Sequence, residues 1–479
     1  GWPRPFETPQ QTCDWVGTGW PHPLYWYPSA AAPPHFPYGY CCDPLQPPVN
    51  PYCQYIQKPK HCPSGYFAES FIRGRGCGIA GYSDGFEGDD TMYCQRDGYD
   101  PYKNKGACNN GTPVPGVGNP INTGIYNKFQ VEADLVFGSG GRERSIQRTY
   151  NSAKVPEFDV VAGVPTPRMF GPHWSSTFDR RLMRFTYGTN STTWAVRPDG
   201  KAYFFNQVGT QWIPDPDVVD TLVQTLDASG NQTGWQYVEA ATQDAEIYDV
   251  DGKLIEVKAR DGYPLTLSYT GGNLTSVQDP FGKSITFTYG PHGFVSSLTA
   301  PTIGTVLYRY DTDYNLTEVE HPGGVIRRYH YENATLKGAL TGITDELGVR
   351  YATFGYDSYG SATLTYLAGN VNRWSIAQVS GKLRVTDPRG YTIDQTYVNS
   401  QGVARLTSST QPCAACGGAG AASAYSYDAS SNLASKADFN GRKTCYAYDT
   451  TRNLETARLE GATSAEDCTT VLATPPNRP

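Results

Sequence analysis

Methionine is nearly missing from this chain, with 3 residues in 479, and apolar residues of all kinds reach only 38%, little for an ordinary enzyme. No apolar run approaches the roughly 18 residues that a membrane-spanning helix needs, which excludes such a span. Basic residues are outnumbered, and the net charge of −7 removes the simplest case for a nucleic-acid partner, because phosphate backbones demand basic surface. No Walker or HExxH sequence occurs, and the seven histidines, His22, His35, His61, His173, His292, His321 and His330, lie scattered without partner spacing. We therefore expect no enzyme: no catalytic, cofactor-binding or metal-holding residue is assigned. Cysteine is absent from the three hundred or so residues between Cys108 and Cys413, so no cystine can brace the middle of the chain.

What is abundant is Tyr (35), Gly (51) and Pro (36). Tyr, Thr and Val suit strands, and Gly with Pro suits turns, so the composition favours an all-β, turn-rich protein. The twelve cysteines sit at the two ends: Cys13, Cys41, Cys42, Cys53, Cys62, Cys77, Cys94 and Cys108, then Cys413, Cys416, Cys445 and Cys468. An even number in clusters reads as structural disulfides formed in an oxidising compartment, hence a secreted or cell-surface protein. Zinc is the weaker reading, since only Cys413 and Cys416 have ligand spacing and no second pair follows. The chain begins at Gly1, which we take to mean that a leader or more has been removed.

Three regions are expected. Residues 1–112 are rich in Cys, Pro and aromatic groups and show no helical or strand periodicity; cystines must do much of the holding there. The rings of Trp20, Tyr25, Trp26, Tyr27, Phe36, Tyr38 and Tyr40 offer a carbohydrate-stacking platform, and the plainer reading is packing against prolines or another subunit. Asp84, Glu87, Asp89 and Asp90 suit calcium oxygens or, more plainly, a solvated loop. Residues 113–240 alternate over Lys128-Phe129-Gln130-Val131-Glu132-Ala133 and Lys201-Ala202-Tyr203-Phe204, as half-buried strands do. Arg148, Asp179, Arg180 and Arg181 read better as an ion-pair network than as an active site.

Residues 241–479 repeat. A tyrosine opens a polar turn at Tyr248, Tyr269, Tyr289, Tyr310, Tyr331, Tyr356, Tyr397, Tyr427 and Tyr448, with first steps of 21, 20, 21 and 21 residues. A degenerate member near Ile376 brings the total to about ten units. Before each tyrosine the sequence alternates with period two, as in Ser284-Ile285-Thr286-Phe287-Thr288-Tyr289, which is a strand; an Asp/Gly/Asn turn follows, and a Leu opens the return strand, as in Asn273-Leu274. Each unit is a hairpin. Recurrent Gly and Pro exclude a helical repeat. Asp249, Asp311, Asp357, Asp428 and Asp449 hold one place after Tyr, where an Asx turn explains them without chemistry. About twenty strands cannot stay flat, so the sheet must curl while keeping two edges.

These Tyr-Asp units resemble the YD repeats of Rhs proteins, teneurins and the shell components of insecticidal toxin complexes. Gly118-Asn119-Pro120, Arg148-Thr149-Tyr150-Asn151-Ser152 and Trp174 through Leu182 are similar to the segment that precedes the repeats in Rhs proteins. The resemblance covers about residues 118–461 and implies one continuous, curled antiparallel β-ribbon, part of a hollow shell around a C-terminal toxin. The chain carries fewer repeats than a family shell and lacks the core segment with its self-cleaving aspartates; Asp279-Pro280-Phe281-Gly282 and Asp387-Pro388-Arg389-Gly390 are repeat turns. Three roles follow. Copies join through sheet edges or the first region into an extracellular fibre or sheath; or the chain is the leading part of a toxin-delivery cocoon; or it is an adhesin binding surface glycans. The fibre is the first expectation. Of the sequons at Asn110, Asn190, Asn231, Asn273, Asn315 and Asn333, Asn273 and Asn315 are turn residues first. The last four cysteines are expected to pair locally, and the end, from Val471 on, to stop without a cap.

Overall fold

The computed structural model describes residues 102–106, 116–138, 144–153, 168–187, 190–301, 303–412 and 421–473, and a few short strands elsewhere by their backbone alone. It divides into two compact units, Gly1–Asp97 and Gly98–Pro479. In the first, Tyr25–Pro28, Tyr38–Cys42 and Cys53–Gln57 form an antiparallel sheet, and Tyr66–Glu69 pairs with Tyr93–Arg96, so a region without legible periodicity does carry short strands. Trp20, Asp84, Glu87, Asp89, Asp90, Cys13, Cys62, Cys77, Cys108, Cys413 and Cys416 lie outside the described residues, as do the side chains of Tyr25, Trp26, Tyr27, Cys41, Cys42, Cys53 and Cys94.

The second unit is built on one antiparallel sheet of 26 strands, running from Arg181–Tyr187 to Leu454–Ala462, in which every strand pairs with the next in sequence. The sheet crosses residue 240 without interruption, passing from Gln232–Val238 to Ala245–Tyr248. It is not closed into a barrel. Alternation sorts its two faces. Ile285 and Phe287 are buried, and across the ladder Phe287 meets Leu298, Leu267 meets Val277 and Tyr308 meets Val319. Burying each such side chain is worth about 1.5–3 kcal/mol. The opposite face is a ladder of hydroxyls and ions: Thr288 to Ser297 at 2.7 Å, Thr299 to Thr305 at 2.9 Å, Ser426 to Ser435 at 2.7 Å, and Arg309 to Glu320 at 2.6 Å.

Many turns share one pattern: an Asp Oδ1 accepts backbone N–H groups two and four residues on, as Asp249 does from Asp251 and Lys253, Asp311 from Asp313 and Asn315, and Asp428 from Ser430 and Asn432. Asp279 and Asp387 do the same on the other rim. A β-bulge recurs at eight of the nine repeat tyrosines, Tyr248, Tyr269, Tyr289, Tyr310, Tyr356, Tyr397, Tyr427 and Tyr448. A bulge bends its strand and adds twist, so one repeated irregularity on one rim makes the whole sheet coil.

A smaller sheet of Ile121–Asn122, Asn127–Phe137, Arg144–Asn151 and Trp174–Ser176 precedes the ribbon in sequence and packs against its apolar face in one continuous core. Its long strand buries a polar face over part of its length: Lys128, Gln130, Glu132 and Asp134 are buried, while Val131 and Val136 are about half exposed. Beyond the bulge between Ala133 and Leu135, Leu135 and Phe137 enter the apolar core. The alternation reads correctly as a strand, and its polar face is buried because it meets charged and phenolic groups, Asp134 bonding Arg148 and Tyr308.

The last hairpin departs from the pattern. Leu454 is 53% exposed, whereas Leu254, Leu274 and Leu316 are buried, and its strand carries two register shifts against Lys443–Asp449. Of the segment from Val471 on, residues 474–479 lie outside the described residues. A short helix, Cys468–Ala473, folds back with Val471 against Ala462, and Cys468 forms a disulfide with Cys445.

Candidate functional site: the tyrosine rim and its floor

Five of the nine repeat tyrosines share one task. Tyr269 donates its hydroxyl to Leu254 O at 2.7 Å, Tyr289 to Leu274 O at 2.9 Å, Tyr310 to Val295 O at 2.9 Å, Tyr356 to Leu340 O at 2.8 Å and Tyr427 to Leu406 O at 2.7 Å. The acceptor lies in or just before the preceding return strand, so each of these phenols ties its hairpin to the one before. Burial pushes the phenols of Tyr269, Tyr289, Tyr310 and Tyr356 above their ordinary range, with help at Tyr269 from the Tyr289 phenol and at both Tyr269 and Tyr289 from the Asp179 carboxylate, and they stay protonated donors. Tyr248 donates instead to Glu246, Tyr331 accepts from Trp174 Nε1 at 3.1 Å, and Tyr397 bonds Thr123 and Gln395.

The segment before the ribbon is laid along this rim in broadly reversed order. Leu182 N donates to Gly252 O, Met169 O accepts from Val295 N, and Tyr150 holds Gly338 O and Leu340 N; Tyr126 O accepts from Ala362 N and its hydroxyl bonds Gln378. Thr123 reaches Tyr397, and Asn104 reaches Gly402 and Ala404. As the ribbon advances from 252 to 404, its partners fall from 182 to 104. The early chain is thus a floor under the tyrosine side of the coil.

Two buried charge clusters lock floor to wall. Arg148 pairs with Asp134 through two 2.7 Å bonds, touches Tyr329, and lies over the rings of Trp174, Phe170, Tyr308 and Tyr329; Tyr308 donates to the same Asp134. Burial opposes the Arg148 charge, but Asp134 and the phenols hold its pKa well above normal. Glu246 is gripped by Arg197 at 2.5 and 2.8 Å and by Arg180 at 2.5 Å, with Tyr237 donating to Asp220 alongside. Burial raises the Glu246 carboxyl, yet Arg197 and Arg180 outweigh it and hold it at about 2. Asp179 accepts from Met169 N, and burial lifts its pKa. Of the charged residues singled out in the sequence, Arg148 and Arg180 belong to these two separate clusters. Their partners Asp134 and Glu246 carry no sequence signal of their own beyond the strand they alternate on. Lys128 is fully buried, 4.1 Å from the Phe354 ring centre, bonded to Phe129 O and Gln130; burial depresses its pKa despite Glu132.

Later and earlier parts of the ribbon meet at a seam. Asn453 Nδ2 donates to Pro216 O at 3.0 Å, across 237 positions. Residues 102–106 fill the joint: Lys103 bonds Asp215, Asp217 and Gln401 O, and Asn104 bonds Gly402 O. The turns of the tyrosine rim here meet a loop of the opposite rim. Farther along that opposite rim the turn tips are apolar and bare: Phe281 at 67% and Leu347 at 88% exposure, with Ile303, Val325 and Val371 also exposed. Successive tips sit two strands apart, roughly 10 Å. Among the described residues no His/Cys/Asp/Glu group has the geometry of a metal site, and no helix is long and apolar enough to cross a membrane.

A family model described as a domain of unknown function, DUF6531, matches residues 118–205, which span the floor and the first strands of the wall. No match was found among curated proteins. Among solved structures, the complex TcdB2-TccC3-Cdc42 aligns at 10% identity and a TM-score of 0.31, over 71% of this chain and 22% of its own. The Photorhabdus luminescens Tc holotoxin pore aligns at 11% and 0.31, over 72% and 21%. The chain therefore spans about a fifth of the length of those chains. A porin-like protein from Bacteroides uniformis aligns at 10% and 0.14, over 59% of this chain and 96% of its own.

Proposed function

We propose that this chain is a non-catalytic architectural protein of the Rhs kind, forming the closed end of a β-walled cocoon. The carrying observation is the floor. A ribbon that seals its own tyrosine rim with the residues preceding it has one end shut and the other free. The free rim carries the bare apolar tips Phe281, Ile303, Val325 and Leu347, which is where a further layer of wall, continuing the coil, gains most by burial. The cargo class suggested by the resemblance is a toxin held on the concave side, and the compartment is extracellular, in keeping with the Cys445–Cys468 disulfide.

One observation favours the fibre instead: Leu454–Ala462 is an exposed edge strand, and such an edge pairs with another chain unless blunted. The two readings separate in negative-stain electron microscopy and light scattering of the purified full chain across a concentration series. Discrete particles of constant mass, closed at one end, support the cocoon end. Filaments that lengthen with concentration overturn it in favour of the fibre.

A further inference from the structure

The seam holds chemistry that a wall does not require. Lys103 Nζ lies 2.5 Å from Asp217 Oδ1, 2.9 Å from Asp215 Oδ2 and 2.9 Å from Gln401 O. The lysine side chain is 1% exposed and the two carboxylates 6% and 5%. One ammonium and two carboxylates shut away from water are expensive to keep ionised. Burial pushes Asp217 upward, against the opposing charges of Lys103 and Arg405, toward its neutral acid. Passing the Lys103 proton to Asp217 leaves a neutral amine beside a neutral carboxylic acid, with a second carboxylate touching the same nitrogen. At an ordinary hydrogen-bond angle the amine then stands roughly 3–3.5 Å from the carboxyl carbon, and a turn of the carboxyl about its Cβ–Cγ bond is what presents the face of that carbon to the lone pair.

We propose that Lys103 and Asp217 join through an intramolecular isopeptide bond, with Asp215 as proton carrier. The Nζ lone pair attacks Cγ of the protonated Asp217, forming the C–N bond. Asp215 takes the proton from the cationic nitrogen and delivers it to the departing hydroxyl, the C–O bond breaks, and one water leaves. No oxidant, reductant or external co-reactant enters, and Asp215 ends as it began. The product is a buried amide that pins residues 102–106 to the loop between Gln211–Pro214 and Thr221–Leu226, beside the turn at Gln401, and so welds the seam of the coil.

The full chain, denatured and weighed by intact-mass spectrometry, is expected to be lighter than its sequence by one water after allowance for cystines. Trypsin is expected to spare the bond after Lys103 and to yield a branched peptide joining the residues around 103 to those around 217. A full-sequence mass together with cleavage after Lys103 overturns the proposal. Lys103→Arg keeps the charge but not the nucleophile, and is expected to restore the full mass; a missing water in that variant also overturns it. Asp215→Asn is expected to slow bond formation by roughly 100-fold or more in a time course after synthesis, and an unchanged rate removes Asp215 from the assignment.

Discussion

Single side chains decide which charges this molecule can keep inside. Glu246 is the clearest case, because its carboxyl sits at about 2 when folded against an ordinary 4.5. A depressed carboxyl stabilises the fold above its unfolded pKa, and that contribution is lost as pH falls through its folded value. Between about pH 4.5 and 2 the chain should therefore lose on the order of 3 kcal/mol from this group. Urea midpoints measured across that window should fall steeply in the wild type. Glu246→Gln should flatten this part of the profile and cost about 3–5 kcal/mol near neutrality, since Arg197 and Arg180 are then buried without their counter-ion. A pH profile unchanged by the substitution would assign acid sensitivity elsewhere. The buried polar face of Asn127–Phe137 follows the same logic: Asp134 and Glu132 are tolerated because Arg148 and Arg327 meet them.

At the level of the hairpin, the recurring phenol does two things, ending its strand in a bulge and tying back to the previous unit. Tyr289→Phe keeps the ring and removes only the bond to Leu274 O. It should cost about 1 kcal/mol, read as a lower urea midpoint with unchanged slope, and a substitution without effect would deny the hydroxyl its structural role. This element was largely legible beforehand, because period two, the Asp after Tyr and the opening Leu are local signals. The bulge was not: it appears only when the two strands are counted against each other, as between Thr288 and Tyr289. Nor was the floor. Its strands alternate recognisably, but contacts such as Tyr126 to Gln378 or Asn104 to Ala404 join residues 252 and 300 positions apart, and no local pattern encodes such pairs. The slipped final hairpin was hidden for another reason. Leu454 and Leu316 both follow an Asn, so the local signal is alike, and the difference shows only when Leu454–Ala462 is counted against Lys443–Asp449.

Taken whole, the second unit supplies its own core, its own floor and its own seam. Residues 98–479 should then fold without the first 97, with an all-β dichroism spectrum and a melting temperature within a few degrees of the full chain; loss of the cooperative transition would show that the Cys-rich region is needed for folding. The reversed docking order bears also on how the molecule is made. Synthesis delivers the floor before any of the hairpins that rest on it. The first repeat to emerge finds Leu182, only 70 positions behind it at Gly252, while Gln401 must reach back 298 positions to Lys103. Loop closure over such distances is slower the longer the loop, so the ribbon winds onto a finished spool from its nearest end outward, and the strand of thread laid down first is the one tied off last.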